Sequence, residues 1–149
     1  MLAVRNRTRR ELEQALAKKR VPAEAADEVL NRLTEVGLID DQRFADAWFE
    51  GQQRRQRSTR VLRQELRIKG VDAELVDQAA SSAPDDADLI AARALVAKRW
   101  PAMQRLPHDV GYRRLAGQLT RRGFGSAVIS TVLRDLPRDG EPDGSSDDL

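Results

Sequence analysis

The sequence predicts an all-α protein built as a row of tandem three-helix, helix-turn-helix-like repeats, elongated rather than globular. The composition is rich in Ala, Leu, Arg, Asp and Glu, with only 9 Gly and 6 Pro in 149 residues, and such a mix favours helix. Apolar residues recur at three- and four-residue intervals, and no stretch sustains the alternation of a strand. The chain also repeats itself. Thr8, Leu12, Leu16, Val21 and Ala26 return as Ser58, Leu62, Leu66, Val71 and Val76. A further shift finds Leu115, Leu119, Phe124 and Ile129, with Val132 and Leu133 at the places of Ala79 and Ala80.

Each element has a local cause. Thr8 followed by Glu11 has capping-box spacing, so a helix over about Thr8–Lys19 follows. Pro22 suits the first turn of the next helix and Gly37 its end, which gives Pro22–Val36. Asp40 and Asp41 supply caps and favourable charge to a connecting helix over about Asp41–Arg55, and Asp85-Asp86 open one over about Asp85–Arg99 in the same way. Gly70 and Gly123 occupy equivalent tight turns, where a left-handed residue is expected. Arg20 takes that place in the first copy, where such a backbone costs a side chain about 1 kcal/mol.

A helix pair of this size cannot bury its own apolar face, so the units must stack or share a third helix. The expected divisions are residues 1–56 for the first repeat with its connecting helix and 57–83 for the second helix pair. Residues 84–136 hold the next connecting helix and third pair, and 137–149 read as a disordered acidic tail. Phe44 and Trp48, four residues apart, read as core anchors, whereas Phe49 lies 100° further round and is a candidate exposed anchor.

The chemistry available is narrow. There is no cysteine and one histidine, His108, which removes disulfides, thiolate zinc and histidine-based metal clusters. No Gly-rich phosphate loop or nucleophile set is present, Asp40-Asp41 read as caps rather than metal ligands, and His108 beside Pro107 reads as a loop residue. No catalysis and no cofactor are expected. With no apolar run of membrane-spanning length and no secretory leader, the chain reads as cytoplasmic.

Charge is more informative. Residues 71–92 carry six acids and no base, whereas 93–123 carry eight bases and one acid. Such block asymmetry points to a polyanionic or strongly charged partner. Seven bases, Arg54, Arg55, Arg57, Arg60, Arg63, Arg67 and Lys69, fall in one stretch with the single acid Glu65. Arg60, Arg63 and Arg67 lie opposite an apolar stripe of Leu62 and Leu66 that Val61 and Ile68 broaden. Arg113, Arg114, Arg121 and Arg122 repeat the theme in the third unit. These faces suit phosphates or carboxylates. Aromatics interleaved with bases, as single-strand platforms require, are not evident along the sequence.

The string Glu35-Val36-Gly37-Leu38-Ile39-Asp40-Asp41-Gln42-Arg43-Phe44-Ala45, followed by Gln64-Glu65-Leu66-Arg67-Ile68-Lys69-Gly70-Val71 and by Leu119-Thr120-Arg121-Arg122-Gly123-Phe124, resembles the RecX regulatory proteins of bacteria. The match and its order extend over about Arg7–Leu136. The resemblance implies a curved, positively lined rod that binds the RecA recombinase filament on single-stranded DNA. It implies inhibition of RecA's ATPase, strand-exchange and coprotease activities by a monomer without catalytic residues. Weak binding to single- or double-stranded DNA is a further expectation. Family members carry another helix ahead of the position of Arg7, so the first repeat is expected to lack a helix and to leave Leu12 and Leu16 partly uncovered. Two other readings stay open at this point: a helix-turn-helix DNA-binding protein, and a helical adaptor for another acidic partner. The second helices, Ala73–Ala80 and Ser126–Leu133, are acidic or apolar rather than rich in base-reading side chains.

Overall fold

In a computed structural model of the chain the described residues are 7–136, so the expectations for Met1–Asn6 and for the tail 137–149 lie outside them. The described residues form α1 (Arg9–Lys18), α2 (Ala23–Glu35), α3 (Asp41–Glu50), α4 (Gln52–Arg55), α5 (Thr59–Ile68), α6 (Ala73–Ser81), α7 (Ala87–Met103), α8 (His108–Arg121) and α9 (Ser126–Arg134), with no strand among them. The chain divides into two compact units. The first takes the residues up to Gly51 together with Leu62–Pro84, the second takes Gln52–Val61 with the residues from Asp85 onward.

In the first unit, α3 packs on α6, and Phe44, Ala45, Phe49, Leu62, Leu66, Val71, Val76 and Ala79 form the core. In the second, α7 packs on α8 and α9 around Ala91, Ala92, Leu95, Leu115, Leu119, Phe124, Val132 and Leu133. The repeat equivalence is visible in burial. Leu62, Leu66, Leu115 and Leu119 are fully buried, whereas Leu12 and Leu16 are half-buried and α1 buries no residue. Val29 is 50% exposed where its counterparts Ala79 and Val132 are 1% and 3% exposed. These are faces that α3 covers in the second repeat and α7 in the third.

The sharpest recurrence is a clasp between the start of one repeat and the turn of the next. In the first unit the Thr8 hydroxyl donates to Lys69 O at 2.6 Å while accepting from Glu11 N–H at 3.2 Å, and Glu11 Oε1 accepts Thr8 N–H at 3.1 Å, completing the capping box. In the second, Ser58 N–H donates to Arg122 O at 3.1 Å and Ser58 Oγ accepts Val61 N–H at 3.2 Å. Thr8 and Ser58 are 0% and 1% exposed, so these bonds satisfy buried polar groups. The turn glycines answer them: Gly70 and Gly123 have φ of 90° and 91°. A Cβ on Gly70 would overlap the Arg10 side chain, and one on Gly123 would overlap Val61 and Ser58. Arg20 is also left-handed, with φ 61°, but it is exposed, so the first turn bears a side chain at the cost of backbone strain alone.

A second recurrence links the first N–H of a repeat to the connecting helix. Arg9 N–H donates to Asp41 Oδ1 at 3.0 Å. Thr59 N–H and its hydroxyl donate to Asp88 Oδ1 at 2.9 and 2.8 Å, and Gln52 Nε2 joins them at 2.6 Å. Free first-turn donors of one helix are thus met by a carboxylate from another. Asp40 caps its own helix, accepting from Arg43 N–H at 3.0 Å.

Several expectations change. The connecting helix breaks at Gly51, a poor helix former, and resumes as the short α4, which ends where Gln56 turns left-handed at φ 49°. Asp86 stands at the cap of α7 but makes no side-chain cap bond; Asp88 serves the cross-cap. The helix α7 continues past Arg99 through Pro101 to Met103, which is buried in the core of the second unit. His108 is no loop residue: it is the first residue of α8, with its ring centroid 6.4 Å from Trp100 and 6.2 Å from Tyr112. Phe49 is buried, because the apolar arc of α3 extends from Phe44 through Trp48 and Ala45 to it. Ile68 does not broaden the stripe of α5; it is 72% exposed, two residues from Leu66 and so on the opposite side of the helix.

Three measurements check this account. Gly123→Ala should cost roughly 2–4 kcal/mol in chemical denaturation, whereas Gly37→Ala, left-handed at φ 80° with nothing near its Cβ, should cost about 1 kcal/mol; equal losses would refute the clasp. Hydrogen exchange should be faster in α1 and α2 than in α5, α8 and α9, following the half-buried Leu12 and Leu16. Burial pushes the Asp41 carboxyl above the usual carboxylate range, against the lowering effect of the Arg9 N–H, while Asp72 and Asp40 add to the rise. A carboxyl with a raised folded pKa binds its proton more tightly in the fold, so its contribution grows as pH falls through that raised value and declines as pH rises through it. Asp41→Asn keeps the acceptor and should match or exceed the wild type at pH 7, and the wild type should gain on it under acidification. Asp41→Ala should lose about 1 kcal/mol at pH 7.

Candidate functional site

The eleven basic residues singled out by the sequence divide into those the fold uses and those it leaves outward. In the first unit, Arg63 is held by Asp77 at 2.6 Å, although the carboxylate is largely exposed. Lys69 Nζ sits 3.0 Å from Glu11 Oε2, and 5.2 Å from the centroid of the Trp48 ring. Arg67 is exposed. The sequence places Arg60, Arg63 and Arg67 on one helical face. The structure gives Arg63 an intramolecular partner because α6 brings Asp77 against that flank of α5.

In the second unit the clasp concentrates charge. Arg122 is half-buried and its Nη1 donates to Arg55 O at 2.7 Å, while its own carbonyl accepts Ser58 N–H. The stretch that carries Arg54, Arg55, Arg57 and Arg60 is thereby stitched to the turn that carries Arg121 and Arg122. Arg60 Nη2 makes a long contact, 3.5 Å, with Gly123 O. Arg54, Arg60 and Arg121 are exposed; Arg55 and Arg57 are half-buried. Further along α8, Arg114 is exposed, and Arg113 is exposed with Asp109 3.8 Å away. Arg114 and Arg121 are seven residues apart and share one face of α8. Such a cluster can take phosphate or carboxylate oxygens in forked hydrogen bonds.

The exposed positions of the second helices mix acids and alanines with Gln78, three serines and Arg134, which are types that can reach base edges. Exposed positions are Ala73, Glu74, Asp77, Gln78 and Ser81 on α6, and Ser126, Ala127, Ser130 and Arg134 on α9. Asp40 and Asp41 are occupied as caps, and among the described residues no group of three or more His, Asp or Glu side chains is placed to hold a metal ion. Among the same residues no helix is long and apolar enough to cross a membrane.

Sequence reasoning found the basic residues but missed the clasp that gathers them. Its signal was the recurrence of Thr8 as Ser58 and of Gly70 as Gly123, which marked equivalent positions without saying that the two meet.

Comparison with known proteins agrees with this repeat architecture. Family models match three successive segments: the first three-helix domain of RecX over residues 1–33, the second over 40–79 and the third over 86–133. The chain is 45% identical over 137 residues to a regulatory protein RecX from Streptomyces coelicolor, covering 91% of this chain and 73% of the relative. It is 36% identical over 140 residues to one from Amycolatopsis mediterranei, covering 93% and 80%. The crystal structure of RecX from Lactobacillus salivarius superposes with a TM-score of 0.74 at 21% identity, over 91% of this chain and 88% of that one, and so supports the fold. Three matched domains in order, with relatives this similar over most of their length, show that the chain belongs to the RecX family of regulatory proteins.

Proposed function

We propose that this protein binds the RecA recombinase filament on single-stranded DNA and lowers its ATPase, strand-exchange and coprotease activities, acting as a cytoplasmic monomer and not as an enzyme. The observation that carries the reading, beside family membership, is the exposed arginine group gathered at the clasped turn of the second unit, Arg54, Arg60 and Arg121. A filament presents the same groove again and again, so repeated small units with basic faces gain from multivalent contact with successive subunits. Against the duplex-reading alternative stand Glu74 and Asp77, two exposed acids on α6 that a phosphate backbone repels.

The test is RecA's ATP hydrolysis on single-stranded DNA against increasing protein, with co-sedimentation of the filaments. Inhibition well below one molecule per RecA, with the protein in the pellet, is expected; neither effect would reject the reading. Arg60→Glu with Arg121→Glu should raise the half-inhibitory concentration about tenfold or more at low salt, with helix content unchanged. Arg63 is left in place, since reversing it would set two carboxylates against each other at Asp77.

A further inference from the structure

The second unit carries a basic surface and, at its end, a segment of opposite charge. Arg54, Arg60 and Arg121 are exposed, and Arg114 continues the face of Arg121 along α8. In the first unit Arg63 and Lys69 find carboxylates within the fold, Asp77 and Glu11. Among the described residues no carboxylate pairs with Arg54, Arg60 or Arg121. Beyond Leu136 the balance reverses: residues 137–149 hold Asp139, Glu141, Asp143, Asp147 and Asp148 against the single base Arg138. Apart from Pro137 and Pro142 they offer no apolar side chain before Leu149, so charge is the main means by which this segment can bind anything. Leu136 is buried in the core that also takes Phe124, the residue after the Gly123 turn. The acidic segment is thus tethered to the unit that displays the arginines.

We propose that residues 137–149 fold back over Arg54, Arg60 and Arg121 and compete for them with the filament, so that the chain carries its own anionic competitor. The inference rests on the reading of that arginine group as the filament-binding surface. Reach permits the contact: a segment of this length spans about 45 Å when extended, whereas a compact unit of about 60 residues measures roughly 25–30 Å across. Chemistry favours it, since carboxylates take guanidinium donors in forked pairs. Tethering makes weak pairing sufficient, because a short flexible link holds the acids at an effective concentration of about a millimolar. The contact is exposed and therefore screened, so the restraint is strongest at low salt and yields to a polyanion or a multivalent surface that binds the same arginines more tightly.

The chain has no cysteine, so Ser146→Cys in the full-length protein gives one attachment point for a nitroxide spin label. Amide resonances of residues 54–60 and 120–123 should broaden at low salt. They should recover at about 0.5 M salt and in the full-length Arg60→Glu, Arg121→Glu variant. Broadening confined to α9, centred on the exposed Lys98 and Arg99, or spread evenly over the surface would overturn the proposal. So would the same broadening in isotope-labelled chains mixed with spin-labelled ones, which would assign the segment to a second copy. Competition is read separately with a full-length variant carrying Asp139→Asn, Glu141→Gln, Asp143→Asn, Asp147→Asn and Asp148→Asn. Its half-inhibitory concentration in the RecA ATPase assay should fall about threefold or more at low salt, and an unchanged or raised value would overturn the competition. A general gain in net positive charge would shift inhibition in the same direction, which is why the label must also report the contact. RecA is absent from the label experiment, so failure there leaves the filament reading standing, and absence of inhibition by either protein leaves the label result to decide the contact.

Discussion

The fold depends on the close approach of a capping hydroxyl residue to a left-handed glycine turn one repeat further on. Each small helix pair has too little apolar surface to stand alone, and the clasp is where the next pair is held. Two requirements coincide at Gly70 and Gly123: a backbone conformation that side chains resist, and space that a Cβ would fill. The capping residue likewise does two things, since Thr8 ends the orphan donors of its own helix and bonds the carbonyl of Lys69. The cross-caps from Asp41 and Asp88 add the connecting helix to the same junction, so three elements meet at each helix start.

The clasp also explains how a structural device becomes a candidate binding surface. Arg121 and Arg122, just ahead of Gly123, are far in sequence from the basic stretch before α5, and Arg122 joins the two by bonding Arg55 O. Arg122 is thereby committed to the fold, while Arg54, Arg60 and Arg121 remain outward. The corresponding turn in the first unit is treated differently. Lys69 is drawn to Glu11 and the Trp48 ring, and Arg63 to Asp77, so this unit combines aromatic surface with cations rather than displaying arginines alone.

Much of this was legible in the sequence, and the boundary is physical. Capping signals such as Thr8 with Glu11, and turn glycines such as Gly37, are local and gave helix starts and stops close to those observed. Burial along a helix was legible where the apolar stripe is narrow, as for Leu62 and Leu66. It failed for Phe49 and Ile68, where spacing gives an azimuth but not the width of the neighbour's footprint. Partners from another helix were beyond reach: Asp88 for Thr59, Asp77 for Arg63, and Trp48 for Lys69 depend on which helices pack together. The internal recurrence of Thr8, Leu12 and Leu16 as Ser58, Leu62 and Leu66 supplied the order of repeats, yet which arginines are spent inside the fold emerged only from geometry.

The most direct test of the central claim is a protection footprint of the protein on RecA filaments assembled on single-stranded DNA. The account predicts that the surface around Arg54–Arg60 and the turn Arg121–Gly123 loses solvent accessibility together when filament is added, and regains it at high salt. Filament binding that leaves both segments as accessible as in the free protein, or that protects the exposed faces of α6 and α9 instead, would contradict it.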